Sequence, residues 1–236
     1  MEINCCVGIQ IGIVGDIRRH IPRLTKTRHS IWRISFVSGI RRPIGGFLFA
    51  AAVIVAPPAG YAGYLHFSGN IHTVEPGAVY RSGQLDRDDL EALIAQKGIK
   101  SILNLRGEHP DVGWYSDEAD VARRSKIVQI SIGLSAREEP DLDTMRRLAA
   151  VIESAPKPLL IHCMGGADRT GLASAIYEYA IAGKSADEAD DQLSFAYGHF
   201  PWLWSRTGAM DRAFETFAAA GLAYTQTADD KEGNAQ

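Results

Sequence analysis

Apolar and polar positions follow two alternating periods through the last two-thirds of the chain. Short apolar or alternating runs predict strands, whereas apolar residues spaced three and four apart predict helices. The predicted strands are 78–81, 101–105, 127–132 and 158–162, and the predicted helices are 86–97, 115–124, 141–154, 170–182, 185–197 and 207–220. Strands that alternate with helices predict an α/β domain with a mainly parallel central sheet flanked by helices.

The N-terminal region differs from this domain in charge and in hydropathy. Residues 1–43 hold eight Lys or Arg against two acidic residues, and no formal charge occurs between Arg42 and Glu75. The apolar stretch 44–67 is longer than the roughly 20 residues that a membrane span requires. Its prolines and glycines suit a soluble core helix poorly. The sequence predicts a transmembrane or signal-anchor helix with the basic flank on the cytoplasmic side.

These features divide the chain into five predicted segments. They are a basic segment 1–43, a membrane segment 44–67, a linker 68–77, a globular domain 78–222 and a polar tail 223–236. The predicted location is a bacterial inner membrane with the globular domain in the periplasm. Secretion to the periplasm after cleavage of a signal peptide is the alternative.

Charge and cysteine usage exclude several function classes. The whole chain carries −3 although its N-terminus is basic, so the globular domain is acidic, which argues against a nucleic-acid partner. Cys163 is the only thiol of that domain, so it has no partner for an internal disulfide. No second Cys or His lies at ligand spacing from His162 and Cys163, and we expect no metal and no cofactor.

One segment combines several chemical signals. An apolar strand leads into His162–Gly171, which reads His-Cys-Met-Gly-Gly-Ala-Asp-Arg-Thr-Gly, and a helix begins at its end. Two glycines permit a tight turn whose backbone N–H groups form an anion-binding nest, and a helix N-terminus favours the same anion. The same field favours the thiolate of Cys163, which is the nucleophilic form of cysteine. The segment therefore predicts attack of Cys163 on a bound phosphate ester.

Each residue of this loop has a predicted role. Arg169 holds phosphate oxygens, and Thr170 hydrogen-bonds the sulfur of Cys163 and helps it leave. Met164, Gly165, Gly166, Ala167 and Gly171 are the predicted substrate-binding residues. His162 is predicted to orient the loop through backbone hydrogen bonds, because its side chain alternates to the face opposite Cys163.

The pattern His-Cys-x5-Arg-Thr-Gly resembles the signature of the cysteine-based protein tyrosine phosphatase superfamily. Tyr80–Gln84 (Tyr-Arg-Ser-Gly-Gln) and Leu103–Glu108 (Leu-Asn-Leu-Arg-Gly-Glu) are similar to its compact bacterial dual-specificity members. The resemblance covers about residues 79–217. It implies hydrolysis of phosphate monoesters without a metal or organic cofactor, with Cys163 as nucleophile and Arg169 as phosphate clamp.

The sequence specifies the proton donor and the further arginines of the site less closely than it specifies Cys163 and Arg169. Asp168 is the favoured general acid, because lipid-phosphatase relatives with an Asp-Arg-Thr loop are thought to use this aspartate; Glu138, or another residue, is the alternative. Parallel strands present their carboxyl ends at one edge of a sheet. Arg81, Arg106 and Arg137 follow such ends and are possible phosphate ligands.

We expect a phosphatase that acts on phosphotyrosine proteins, with phosphoserine and phosphothreonine proteins or another small phosphomonoester as further candidate substrates. A phosphoinositide or inositol-phosphate phosphatase is the alternative within the enzyme class. A catalytically weak phosphate-binding module is the alternative outside it.

Overall fold

The computed structural model describes residues 41–201 and 206–233. Within this part the elements are α1 Arg41–Phe67, β1 His72–Glu75, β2 Val79–Ser82, α2 Arg87–Lys97, β3 Ser101–Asn104, α3 Gly113–Ser125, β4 Val128–Ser131, α4 Leu142–Ser154, β5 Leu159–His162, α5 Asp168–Ala180, α6 Ala186–Asp190 and α7 Gly208–Gly233. The chain divides into two units, Met1–Leu48 and Phe49–Gln236, and the globular fold lies in the second.

The strands form one sheet in the order β1-β2-β5-β3-β4. β2, β5, β3 and β4 are parallel, as predicted, and their carboxyl ends therefore lie at one edge. β1 pairs antiparallel with β2, which makes the sheet mixed. The sequence placed β1 within the linker 68–77, because a four-residue polar strand is defined by its pairing with β2 and carries no periodic signal of its own.

The core occupies both faces of the sheet. On one face Leu103 and Ile161 pack with buried residues of α4, α5 and α7. On the other face Ile102 and Leu160 pack against α2 and α3. Every residue of the central strand β5 is buried, as expected for a strand covered on both faces. This rigid strand delivers Cys163 to the edge of the sheet.

Two helices begin where the sequence predicts a helix start, each with an aspartate as its N-cap. Asp86 and Asp141 cap α2 and α4 by accepting hydrogen bonds from the amides of Asp89 and Thr144. Hydrogen bonds from Thr144, first from its side chain and then from its backbone, lower the pKa of Asp141. Asp141 is thus a cap, in agreement with its predicted place at a helix start.

The predicted helix 185–197 is interrupted. A capping box between Ser185 and Glu188 starts α6, which ends at Asp190 and is followed by 3-10 turns at Asp191–Leu193 and Phe195–Tyr197. The carbonyl of Gln192 accepts a hydrogen bond from a buried arginine instead of a helical amide. A long-range contact therefore overrides local helix propensity.

The C-terminal helix is longer than its apolar pattern indicates. α7 runs from Gly208 to Gly233 and takes in most of the predicted tail 223–236. Residues 1–40, which make up almost all of the predicted basic segment 1–43, lie outside the described residues.

The predicted membrane segment requires a correction. Among the helices of the described residues, none has the length and apolar character needed to span a membrane. The prediction of a span at 44–67, and of an inner-membrane location based on it, is therefore wrong. Pro57 and Pro58 interrupt the apolar run of α1, and its last turns contact protein: the Tyr61 hydroxyl donates to the Ala196 carbonyl, and Leu65 is buried.

The position of a residue in the sheet should determine how much the free energy of unfolding falls when its side chain is shortened. Ile161 on β5 is fully buried, whereas Val128 on the edge strand β4 is 45% exposed. We expect Ile161→Ala to lower the free energy of unfolding by about 2–5 kcal/mol, because it removes buried methyl groups and leaves a cavity. Denaturant titration monitored by circular dichroism measures this value. The control Val128→Ala should change it by less than about 1 kcal/mol, and equal losses would contradict this placement of the core.

Candidate active site

The loop between β5 and α5 starts with a buried cysteine. Cys163 follows the central strand directly and is 3% exposed. α5 begins five residues later at Asp168, so its unpaired N-terminal amides lie next to the loop. Met164, by contrast, is 65% exposed.

Four consecutive carbonyl groups of this loop are bonded to the rest of the protein. The Met164 carbonyl accepts from the Gln84 amide at 3.0 Å, and the Gly165 carbonyl accepts from Asn70 Nδ2 at 2.9 Å. The carbonyls of Gly166 and Ala167 accept from one arginine, at 2.9 and 3.3 Å. In a trans peptide the next N–H points away from the carbonyl. The amides of residues 165–168 are therefore turned to the opposite side, the orientation that an anion-binding nest requires.

Arg81 is the arginine that holds two of these carbonyls. Its side chain is completely buried, and its Nη1 donates to the carbonyl and to Oε1 of Gln192, at 2.9 and 2.6 Å. The guanidinium lies 3.9 Å from the ring centre of Tyr197. Burial lowers the pKa of Arg81 to about 10, and the nearby Tyr197, Cys163 and Glu178 oppose that shift. Arg81 was a possible phosphate ligand, but it lies behind the loop and supports it.

Gly166 allows the loop to approach β2. It has a φ of +71°, and a Cβ at this position would lie 2.6 Å from the Gly83 nitrogen and 2.7 Å from the Ser82 carbonyl carbon. Gly165 has no atom within 4 Å of a Cβ. The two glycines of the loop therefore differ: one is required by conformation and space, and the other is not.

Gly171 and Thr170 lie inside α5 and are fully buried. The Gly171 amide donates to the Ala167 carbonyl as part of the helix, and its missing side chain lets the helix approach Gln192. Thr170 Oγ1 is buried and has no hydrogen-bond partner among the described residues. Its predicted bond to the sulfur of Cys163 is not formed here.

Arg169 is held by the ends of two other strands. Its Nη1 donates to the carbonyls of Leu105 and Leu134, which follow β3 and β4, at 3.3 and 3.2 Å. Its Nε is buried without an acceptor in the described part of the chain. The guanidinium is thus oriented by one nitrogen and retains a buried donor for a ligand.

Arg106 lies on the same side of the site. Its Nη1 donates to Gln84 Oε1 at 3.0 Å, and its guanidinium stacks 3.5 Å from the ring centre of Trp114. Burial and the nearby charge of Arg169 lower the pKa of Arg106, whereas Cys163 opposes this shift. These interactions place a second cation beside the loop, together with an aromatic wall.

His162 has a buried acidic partner that the sequence did not identify. Its Nε2 lies 2.9 Å from Glu118 of α3, and both side chains are at most 3% exposed. Burial favours the neutral acid, but hydrogen bonds from His162, Gln84 and Gln129 outweigh it and lower the pKa of Glu118. Glu118 bonds to Gln84, whose amide holds the loop, so this pair stabilises the base of the site.

The two candidate acids occupy different surroundings. Asp168 Oδ1 lies 2.7 Å from Nδ1 of His199, inside the domain. Glu138 is exposed on the loop after β4, near Arg137, which is also exposed. The adjacent Glu139 pairs with Arg212 of α7. Of the two candidates, only Asp168 belongs to the loop that carries Cys163.

The described residues contain no cluster of His, Cys, Asp and Glu side chains that would hold a metal ion. Of the residues that build the site, Asn70 and Glu118 were not identified from sequence, because each lies far along the chain from Cys163 and has no motif spacing to it. Gln192 and His199 fall in 192–202, a mixed aromatic and polar segment that fits either a pocket rim or aromatic packing.

A solved structure shows the same fold. The core catalytic domain of the PP-IP phosphatase SIW14 from S. cerevisiae superposes with a TM-score of 0.53 at 19% identity, covering 68% of this chain and 93% of that one. TpbA from P. aeruginosa gives a TM-score of 0.48 at 21% identity, covering 65% and 91%. No protein of curated function matches the sequence.

A match to a family model identifies the family as well as the fold. Residues 66–201 match the model described as DSP-PTPase phosphatase fused to NAD+ kinase. The matched range includes the sheet, the loop and the residues that anchor its carbonyls, and it covers more than half of the chain. The protein therefore belongs to this family of dual-specificity-type phosphatases, within the cysteine-based protein tyrosine phosphatase superfamily.

Proposed function

We propose that this protein hydrolyses phosphate monoesters, phosphotyrosine foremost, through a phosphocysteine intermediate on Cys163. One observation carries the proposal. Four consecutive loop carbonyls accept hydrogen bonds from residues outside the loop, so the four amides that follow them point away from those residues, beside a buried cysteine. Such an array suits the oxygens of a tetrahedral dianion and its transition state. Arg169 adds a fixed guanidinium whose buried Nε has no acceptor among the described residues.

In the first step the Cys163 thiolate attacks phosphorus. A sulfur–phosphorus bond forms while the bond from phosphorus to the ester oxygen breaks. The protonated Asp168 carboxyl gives its proton to the departing oxygen, and the amides of the loop and Arg169 bind the equatorial oxygens. The products of this step are the free alcohol or phenol and the phosphocysteine.

In the second step a water molecule attacks the same phosphorus. Asp168, now a carboxylate, accepts a proton from that water, and the sulfur leaves as a thiolate. Inorganic phosphate departs and the starting protonation is restored. The two steps balance without a metal, an oxidant or a second thiol.

The substrate class follows from the charges and rings around the loop. Residues 164–168 contain no lysine, and Arg106 is the cation stacked on Trp114 beside them. This arrangement suits one phosphate on an aromatic ring better than a cluster of phosphates, which would require further cations. Trp114 packs against this guanidinium and adds an aromatic ring beside the cation.

A substrate panel tests this proposal. The wild-type chain is assayed for phosphate release from phosphotyrosine peptides, phosphoserine peptides and inositol phosphates. We expect the highest kcat/KM on phosphotyrosine, and Cys163→Ser should lower it by a factor on the order of 10⁴ or more, because the nucleophile is lost. Preference for inositol phosphates would overturn the substrate class. Binding of phosphopeptides without turnover by the wild type would overturn the enzymatic function.

The two loop glycines provide a matched pair of variants. Gly166→Ala should lower kcat/KM on aryl phosphate by a factor of about 100 or more, because its Cβ overlaps the backbone of β2 and displaces the amides. Gly165→Ala meets no atom and should stay within about threefold of wild type. Steady-state kinetics and phosphate inhibition measure both. Equal activity of the two variants would show that loop geometry does not limit the reaction.

The role of Asp168 is tested by varying the leaving group. Asp168→Asn should lower kcat/KM by about 10²–10⁴ for a phenol of high pKa, which departs only when protonated. A strongly acidic phenol leaves as an anion, so its kcat/KM should fall far less. Glu138→Gln is the matched control and should follow wild type with both esters. The reverse pattern would move the acid to Glu138.

A further inference from the structure

The imidazole of His199 lies between two carboxylates. Its Nδ1 is 2.7 Å from Asp168 Oδ1, and its Nε2 is 3.0 and 3.2 Å from the two oxygens of Asp211. The side chain of His199 is completely buried, whereas each carboxyl group is about one-quarter exposed. The ring is thus fixed at both nitrogens, and one of its two partners belongs to the loop of the proposed reaction.

Two helices bring the carboxylates to this ring. Asp168 is the first residue of α5, and Asp211 lies in the first turn of α7. Helix N-termini favour acidic side chains, so both positions suit an aspartate beside the imidazole. Gly198, in the left-handed region with a φ of +82°, makes the turn that directs His199 inward.

The surrounding charges favour a protonated ring. Burial lowers the pKa of His199, but the hydrogen bonds and charges of Asp168 and Asp211 outweigh it and raise that pKa overall. Asp190 of α6 is a third carboxylate near enough to interact with both His199 and Asp211. α5, α6 and α7 therefore each present a carboxylate toward this histidine.

We propose that His199, held in place by Asp211, is the positioning residue of the general acid Asp168 and controls its protonation. This inference rests on the proposed function. A bond at Oδ1 fixes the carboxyl group and leaves Oδ2 for the ester oxygen. A positive ring 2.7 Å from Oδ1 also interacts electrostatically with this carboxyl group whenever it is charged.

The sign of the pH effect follows from this arrangement. The first step requires the proton of Asp168, so kcat/KM falls at high pH, where that proton is absent. A neutral group in place of the His199 cation no longer attracts the carboxylate that forms when the proton leaves. The basic limb of the profile should therefore move to higher pH when the charge of His199 is removed.

Two neutral variants separate position from charge. Asn places a side-chain nitrogen near the position of Nδ1, and Gln places one near that of Nε2. His199→Asn should shift the basic limb upward by about one pH unit and keep a larger share of kcat, because it still reaches Asp168. His199→Gln should show the same shift with a further loss of kcat of about tenfold. The measurement is the pH profile of the full chain with a phenol ester of high leaving-group pKa.

The control is His66→Asn, which changes an exposed histidine of α1 and should leave the profile unchanged. Thermal melting and inhibition by vanadate show whether each variant retains a folded loop. If His199→Asn and His199→Gln lose activity equally without any shift of the limb, the ring serves packing alone and the inference fails. An inactive wild type, or an Asp168→Asn variant of normal rate, would instead refute the proposed function or its acid.

A second measurement does not depend on turnover. Histidine-selective NMR titration of the full chain, with the signal assigned through His199→Asn, should give a His199 pKa above its ordinary value of about 6.5. Asp211→Asn should lower that pKa, because one stabilising carboxylate is removed without contact with the loop. A His199 titration that is the same in wild type and in Asp211→Asn would contradict the proposed arrangement.

Discussion

The site depends on the hydrogen bonds that four consecutive loop carbonyls accept from residues outside the loop. A short loop that binds a dianion must present several N–H groups to one point, and peptide geometry permits this only if the matching carbonyls face elsewhere. Here the carbonyls of Met164, Gly165, Gly166 and Ala167 bond to Gln84, Asn70 and Arg81. The donors come from the segment around β1 and β2, so the sheet edge determines the loop conformation.

Behind this first layer lies a set of buried charged groups. Arg81, Glu118 and His199 are all at most 3% exposed, which would be costly for isolated charges. Each is compensated: Arg81 by carbonyl oxygens, Glu118 by His162 and two glutamines, and His199 by two aspartates. Such groups tolerate few alternative positions, because any displacement would leave a charge unpaired. They therefore hold the loop and the side chain of Asp168 in one geometry.

The sequence predicts well what depends on neighbouring residues. Local pattern and motif were sufficient to predict the strand before Cys163, the mainly parallel sheet, the helix start at Asp141 and the family. Contacts between distant segments were not. β1 exists through its pairing with β2, the helix at 185–197 is interrupted because Arg81 bonds to Gln192, and Arg81 supports the loop from behind. Apolar composition alone also predicted a membrane span at 44–67 that the described helices do not bear out.

We propose that the anchored loop makes Cys163 the nucleophile toward a phosphate monoester. Rapid acid quenching of the full chain during turnover of an aryl phosphate, followed by mass spectrometry of the peptide that contains Cys163, tests this role. We expect one added phosphoryl group on Cys163, with an occupancy that rises in Asp168→Asn if loss of the base slows hydrolysis more than attack. Turnover with no phosphoryl group on Cys163 at any quench time, or with the group on another residue, would contradict it.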